Sequence, residues 1–269
     1  MTLRHPHTAV PVPRAPGDTP HEFALSLMGA FQLSDGAIPV VLPGGSQRLI
    51  AFLALKGRPM ARAAAAGALW PDGSEEQAHA SLRSAIWRLD KITRDAMQVN
   101  VLELDLAPGV GLDLRESRAL AHRLLIVDTL PSAADMSSEA IEALTSDLLP
   151  DWYDEWVVIE AEDWRQLRLH ALEALAGKLS DADRFGDAVQ AARAAIQADP
   201  LRESAHASLI RVHLAEGNQS EALHAYEDYC ALPQRELGLA PTGRIASLVQ
   251  AIQPGGPRSA PQTGQQNSA

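Results

Sequence analysis

The sequence predicts a mainly α-helical protein. Its N-terminal winged helix-turn-helix, built from a small antiparallel sheet, three helices and a hairpin, precedes an α-helical tetratricopeptide-like repeat domain. Two observations carry this reading. Short alternating apolar segments near the N-terminus give way to three helical patterns and then to alternation again. Beyond residue 115 the apolar positions recur at helical spacing, and the pattern repeats itself after 34 residues. A chain of 269 residues is long enough for two domains, each with its own core.

Residues 1–20, with His-Pro-His, Pro-Val-Pro and Ala-Pro-Gly-Asp, have no apolar periodicity and read as a disordered leader; residues 253–269 read as a disordered tail. The winged helix is expected over 21–115. Phe23 to Leu27 and Ile38 to Leu42 alternate around the turn pair Asp35-Gly36, as in a small antiparallel sheet. Ser46 is placed to cap a helix from Gln47 to about Leu55, with Leu49, Ile50, Phe52 and Leu53 on its buried side, and Gly57-Arg58-Pro59 breaks it. The second helix, Ala61 to Trp70, is mostly alanine, which favours helix and allows close packing.

Pro71-Asp72-Gly73 turns the chain into a third helix. Ser74-Glu75-Glu76-Gln77 fits a capping box, which places two acids at the positive end of the macrodipole. Ala78, Leu82, Ala85, Ile86 and Leu89 form an apolar stripe; Gln77, Ser84, Trp87, Arg88 and Lys91 gather opposite it, flanked by Arg83 and Arg94. Val99 to Leu106, the turn Pro108-Gly109 and Val110 to Leu114 read as the closing hairpin.

Residues 116–252 are helical. Helices around Glu116 to Val127 and Ser138 to Thr145 bridge to a repeat that starts near Glu160. At the offset of 34, Ala171 falls on Ala205, Leu175 on Leu209, Ala188 on Ala222, Val189 on Leu223, Ala191 on Ala225 and Ala192 on Tyr226, and Pro200 closes the first unit.

Gly57-Arg58-Pro59 through Leu69-Trp70-Pro71-Asp72, and then Ala80-Ser81-Leu82-Arg83-Ser84-Ala85-Ile86-Trp87-Arg88-Leu89, resemble the DNA-binding half of the Streptomyces antibiotic regulatory protein family. Leu148 to Val157, Arg165 to Glu173, Asp199 to His206 and Glu236 to Pro241 resemble its bacterial transcriptional activation domain. The resemblance covers roughly Phe23 to Ile252. It implies a transcription activator that binds repeated promoter elements as a side-by-side homodimer, contacts RNA polymerase and needs no cofactor. No Gly-x-x-x-x-Gly-Lys-Ser/Thr loop occurs, so the chain resembles the short form without an ATP switch.

The third helix is the candidate DNA reader. Gln77, Ser84, Trp87 and Arg88 are placed nearest base edges, and Arg83, Lys91 and Arg94 nearer phosphates, because Arg and Gln read guanine and adenine edges bidentately whereas phosphate contacts only position the protein. Trp87 has two readings, stacking on sugar or a thymine methyl, or packing against a neighbouring element. Arg48, Lys56, Arg58 and Arg62, at the ends of the first two helices, are candidates for phosphate contacts. The hairpin holds Glu103, Asp105 and Asp113 and no cation, with Arg115 the nearest, which argues against minor-groove reading.

Other constellations read as structural. Trp152, Tyr153, Trp156 and Trp164 suit packing anchors whose N–H groups find carbonyls. Glu203/His206 and Glu221/His224 have di-iron spacing, but each pair opens its own helix and the starts lie about 20 Å apart, so no metal is expected. Cys230 suits a buried small residue. No catalytic signature appears, and the protein reads as a non-enzyme.

The net charge is −11, yet residues 21–115 hold nine cations against ten acids, so the excess acid lies further on and a local basic face is open to the first domain. A single cysteine and the absence of a long apolar run point to the cytoplasm and away from a membrane. The alternative function is a helical-repeat protein-interaction scaffold with a degenerate winged helix.

Overall fold

In the computed structural model, which describes residues 22–126, 130–250 and 252, the chain divides into two compact units. The first comprises the described part of 1–24 together with 33–53 and 57–111; the second comprises 25–32, 54–56 and the described residues from Leu112 onward. The expected disordered leader and tail, and Val127 at the end of the first bridging helix, lie outside the described residues.

Strands β1 (Phe23–Ser26), β2 (Gln32–Asp35) and β3 (Ile38–Val40) open the chain. β2 was not expected. Asp35 pairs with Ile38, so Gly36 and Ala37 form a two-residue hairpin in which Gly36 takes a φ of 55°, a region that suits glycine. A four-stranded sheet runs in the order β3-β2-β1-β7, where β7 is Gly111–Leu112.

Helix α1 (Gly44–Lys56) starts earlier than expected and Ser46 does not cap it; its N-cap is Pro43, without a side-chain cap. Gly57 ends it in the left-handed region at φ 59°, donating its N–H to the Leu53 carbonyl at 3.0 Å. Strand β4 (Met60–Ala61) and helix α2 (Arg62–Leu69) follow, then α3 (Glu75–Trp87). Leu49, Ile50, Phe52, Leu53, Leu69 and Leu82 are almost wholly buried; burying a side chain of this kind contributes about 1.5–3 kcal/mol.

The closing hairpin differs from expectation. It is formed by β5 (Met97–Val99) and β6 (Glu103–Leu106), with β4 on the other edge of β6, while β7 belongs to the first sheet. The turn therefore falls at 100–102, where the Asn100 Oδ1 accepts from the amides of Leu102 (2.9 Å) and Glu103 (2.6 Å). An Asx turn of this kind fixes the register before Pro108-Gly109 is reached.

The second unit is helical: α4 (Asp113–Leu125), α5 (Ser138–Thr145), α6 (Glu155–Asp181), α7 (Phe185–Ala198), α8 (Glu203–Glu216), α9 (Gln219–Leu237) and α10 (Gly243–Val249). Leu114 belongs to α4 and not to a hairpin. Asp113, which the sequence placed in the wing, is the first residue of α4, and its carboxylate accepts the amides of Leu27 (3.0 Å) and Met28 (3.1 Å) and the Ser26 hydroxyl. α6 packs on α7, α7 on α8 and α8 on α9, with α10 against the last two. Ala171, Ala188, Ala205 and Ala222 are fully buried, as the 34-residue register requires of small residues where helices approach closely.

Trp164 donates to the Ser146 carbonyl at 3.0 Å, and Trp152 stacks on Phe31 (6.0 Å) and meets Trp156 edge-on (6.3 Å), so these three are anchors. Tyr153 is not; it is 85% exposed because it precedes α6 on the solvent side. Cys230 is half-buried, since α9 is covered on one side only. Arg168, unremarked in the sequence, is buried in the middle of α6 and donates to the Thr145 carbonyl and to Asp147.

Candidate nucleic-acid interface

The site is built on the α2–turn–α3 segment of the first unit. α2 packs on α3 across the Pro71-Asp72-Gly73 turn. The capping box forms: Ser74 Oγ accepts from Gln77 N–H (3.3 Å), and Gln77 Oε1 accepts from Ser74 N–H (3.0 Å). Gln77 is thus exposed but partly engaged in the cap, which leaves its amide NH2 as its outward donor.

Ala78, Leu82, Ala85 and Ile86 are buried and Arg83, Trp87 and Arg88 are exposed, with Ser84 half-buried. The two faces of the helix are therefore those the periodicity implies. Trp87 is 79% exposed, which removes the reading in which it packs against a neighbouring element of its unit. A large aromatic left in solvent on a face with two arginines is a surface without a covering element.

Lys91 and Arg94 are not on this helix. α3 ends at Trp87, Arg88 is its C-cap, Lys91 lies in a turn, and Arg94 lies in the 3₁₀ helix Thr93–Ala96. Beyond the helix end, Asp90 Oδ1 accepts the Thr93 amide at 2.6 Å, and that bond holds the carboxyl below its usual pKa. Arg94 folds back to donate to the Leu89 carbonyl at 3.2 Å, so its charge sits beside the C-terminal end of α3. Leu89 stays buried, but from beyond the helix end.

Of the candidates at the other helix ends, Arg58 is exposed and Arg48 half-buried. Lys56 lies 3.8 Å from Glu160, a weak pairing at that distance. Arg62 is half-buried and donates to the Asn100 carbonyl at 3.2 Å, which brings a cation to the hairpin turn. With the turn expected at Pro108-Gly109, Arg115 was the nearest cation to the hairpin; Arg115 lies on α4, in the second unit. The turn also carries Val101 (89% exposed) and Leu102 (76%), which sequence reasoning missed. Their signal was present: an Asn before two apolar residues, followed by the alternation Glu103-Leu104-Asp105-Leu106.

Among the described residues no group of His, Cys, Asp and Glu is arranged to hold a metal ion, and no helix is long and apolar enough to cross a membrane. Glu203 instead accepts the amide and hydroxyl of Thr242 and the Tyr229 hydroxyl, and His206 Nε2 lies 2.9 Å from the Pro200 carbonyl.

Residues 112–253 match the family model for the bacterial transcriptional activator domain. The chain is 28% identical over 214 residues to the Regulatory protein AfsR of Streptomyces coelicolor, covering 76% of this chain and 21% of that protein. It is 26% identical over 263 residues to the Regulatory protein AfsR of Streptomyces griseus, covering 92% of this chain and 26% of that protein. The chain thus spans about a quarter of the length of these relatives, or somewhat less. The solved structure of Mycobacterium tuberculosis EmbR in complex with a low affinity phosphopeptide matches with a TM-score of 0.67 at 21% identity, over 87% of this chain and 65% of that one; the likeness is one of fold.

Proposed function

This chain belongs to the bacterial transcriptional activator domain family, in the Streptomyces antibiotic regulatory protein group, and on that premise we propose that it is a sequence-specific transcriptional activator that reads promoter DNA through α3. The observation that carries the reading is the solvent face of α3. Arg83, Trp87 and Arg88 stand exposed on a helix whose two first-turn acids are used at its N-terminal end. In this reading Gln77, Ser84, Trp87 and Arg88 face base edges, Arg83 faces phosphate, and Lys91 and Arg94 meet the backbone beyond the end of the helix. Arg48, Arg58 and Arg62 contact flanking phosphates.

The same family premise supports binding to promoter repeats as a pair, with the helical unit of residues 116–252 meeting the second copy and RNA polymerase in the cytoplasm. Two readers on adjacent repeats gain affinity through effective concentration, which suits a domain whose nine cations are offset by ten acids.

Fluorescence polarisation with promoter fragments at several salt concentrations tests this. Selective binding is expected, with log K falling linearly against log salt by about 0.9 for each phosphate neutralised. Binding no fragment better than random DNA, even at low salt, would overturn the reading in favour of the interaction scaffold.

A further inference from the structure

Helices α6, α8 and α10 of the second unit line a cleft of about 390 Å³, open to solvent and within the size range of small-molecule sites. Ala207 and Ile245, both buried in the apolar cluster of the last repeat, line it. Arg211 on α8 and Arg244 on α10 also line it; both are exposed, and neither guanidinium has a hydrogen-bond or ion-pair partner among the described residues. Ser208, one helical turn before Arg211, lines the same cleft at 7% exposure, and its hydroxyl likewise has no partner among the described residues.

Two carboxylates share this lining, and both are already engaged. Glu173 accepts from Arg202 Nε and from Ser204 Oγ, each at 2.7 Å. Glu203 accepts from the Thr242 amide (2.9 Å), the Thr242 hydroxyl and the Tyr229 hydroxyl (3.3 Å). Counting Arg202, three guanidiniums face two carboxylates, and the two uncommitted cations stand over an apolar floor.

We propose that this cleft binds a small molecule through a phosphate or carboxylate group, with Arg211, Arg244 and Ser208 as its donors and Ile245 against its apolar part. Guanidinium groups suit both oxyanions because their paired N–H groups match the oxygen spacing. A ligand so held joins α8 to α10 and ties down the last described helix. Its occupancy is an input to the helical unit independent of the DNA-reading face.

Isothermal titration calorimetry and thermal unfolding of the full chain with inorganic phosphate, pyrophosphate and citrate test the site. Saturable binding is expected, with Tm rising as ligand concentration passes Kd. Arg211→Gln and Arg244→Gln each weaken it about tenfold or more, as loss of a charge-assisted bond implies. Ser208→Ala weakens it less, and Arg235→Gln, at an exposed arginine paired with Glu236 on α9, leaves it unchanged. Binding of phosphate and pyrophosphate without citrate assigns a phosphoryl ligand, and the converse a carboxylate. Absence of saturable binding by all three, or unchanged affinity in the Arg211→Gln/Arg244→Gln double variant, overturns the proposal. Neither result bears on the polarisation assay with DNA.

Discussion

The Ser46 hydroxyl of α1 donates to the Ala85 carbonyl of α3 at 2.8 Å. A helix leaves its last four carbonyls without intrahelical partners. Around the end of α3, Arg88 N–H takes the Ser84 carbonyl and Leu89 N–H takes that of Ile86, so the buried serine supplies the partner for Ala85. The bond fixes the rotation of α3 against α1, and with it the direction in which Arg88 and Trp87 point. Ser46→Ala is expected to lower stability by about 1–2 kcal/mol in urea unfolding, the cost of a buried carbonyl left without a donor. An unchanged urea midpoint would show that the bond contributes nothing.

Arg83 and Arg88 should separate by assay. Arg88→Ala is expected to reduce discrimination between a cognate and a mutated site by about 1–3 kcal/mol, since a bidentate base contact is lost. Arg83→Ala is expected to weaken all fragments alike and to reduce the salt slope by about 1. Discrimination that survives Arg88→Ala intact would take Arg88 off the reading face.

Burial disfavours the charged form of Arg168, and the neighbouring Asp147 carboxylate opposes that shift. Removing one member of a buried pair costs about 3–5 kcal/mol, but the Asp147 side chain is 64% exposed and water substitutes for part of it. Asp147→Ala is therefore expected to destabilise the chain by about 2 kcal/mol. Arg168→Ala is expected to cost more, because it also strips the Thr145 carbonyl of its donor and empties the space its stem fills. Equal losses in thermal unfolding of the two variants would mean that the pair's charge outweighs packing.

His206 makes the helical unit sensitive to acid. Burial holds its imidazole below the usual 6.5, against the smaller opposing effect of the Pro200 carbonyl. The unfolded chain takes up a proton that the folded one resists. The stability His206 contributes is therefore fully present above about pH 6.5 and is lost as pH falls through the lowered folded value. His206→Gln retains an N–H donor for Pro200 and is expected to lose less Tm than the parent protein between about pH 7 and pH 5. Parallel Tm curves for the two proteins would exclude this contribution.

Features whose partners are near in sequence were legible. The Ser74/Gln77 box, helix α5 at Ser138–Thr145 and the 34-residue register of Ala171, Ala188, Ala205 and Ala222 all rest on bonds or spacings within a helical turn or a repeat. Less was legible where two local solutions compete. Asn100 and Pro108-Gly109 are both turn signals, and the pairing of β6 with β5 and β4 selects the first. On the candidate interface this moved the hairpin turn to Val101 and Leu102 and brought Arg62 to it, while α3 ends at Trp87 and leaves Lys91 and Arg94 beyond it.

By itself the sequence determined the helical faces: which side of α3 is apolar, where its acids sit, and which alanines must lie at helix crossings. Those follow from periodicities of 3.6 and 34 residues that any folded form of this chain must satisfy. Only the tertiary structure decided what the isolated polar groups do. Ser46 serves α3 and not its own helix, Asp113 holds the Leu27 and Met28 amides, and Glu173 and Glu203 are occupied while Arg211 and Arg244 stand uncommitted. A side chain's hydrogen-bond partner across dozens of residues depends on which surfaces have come together, and no local spacing encodes that.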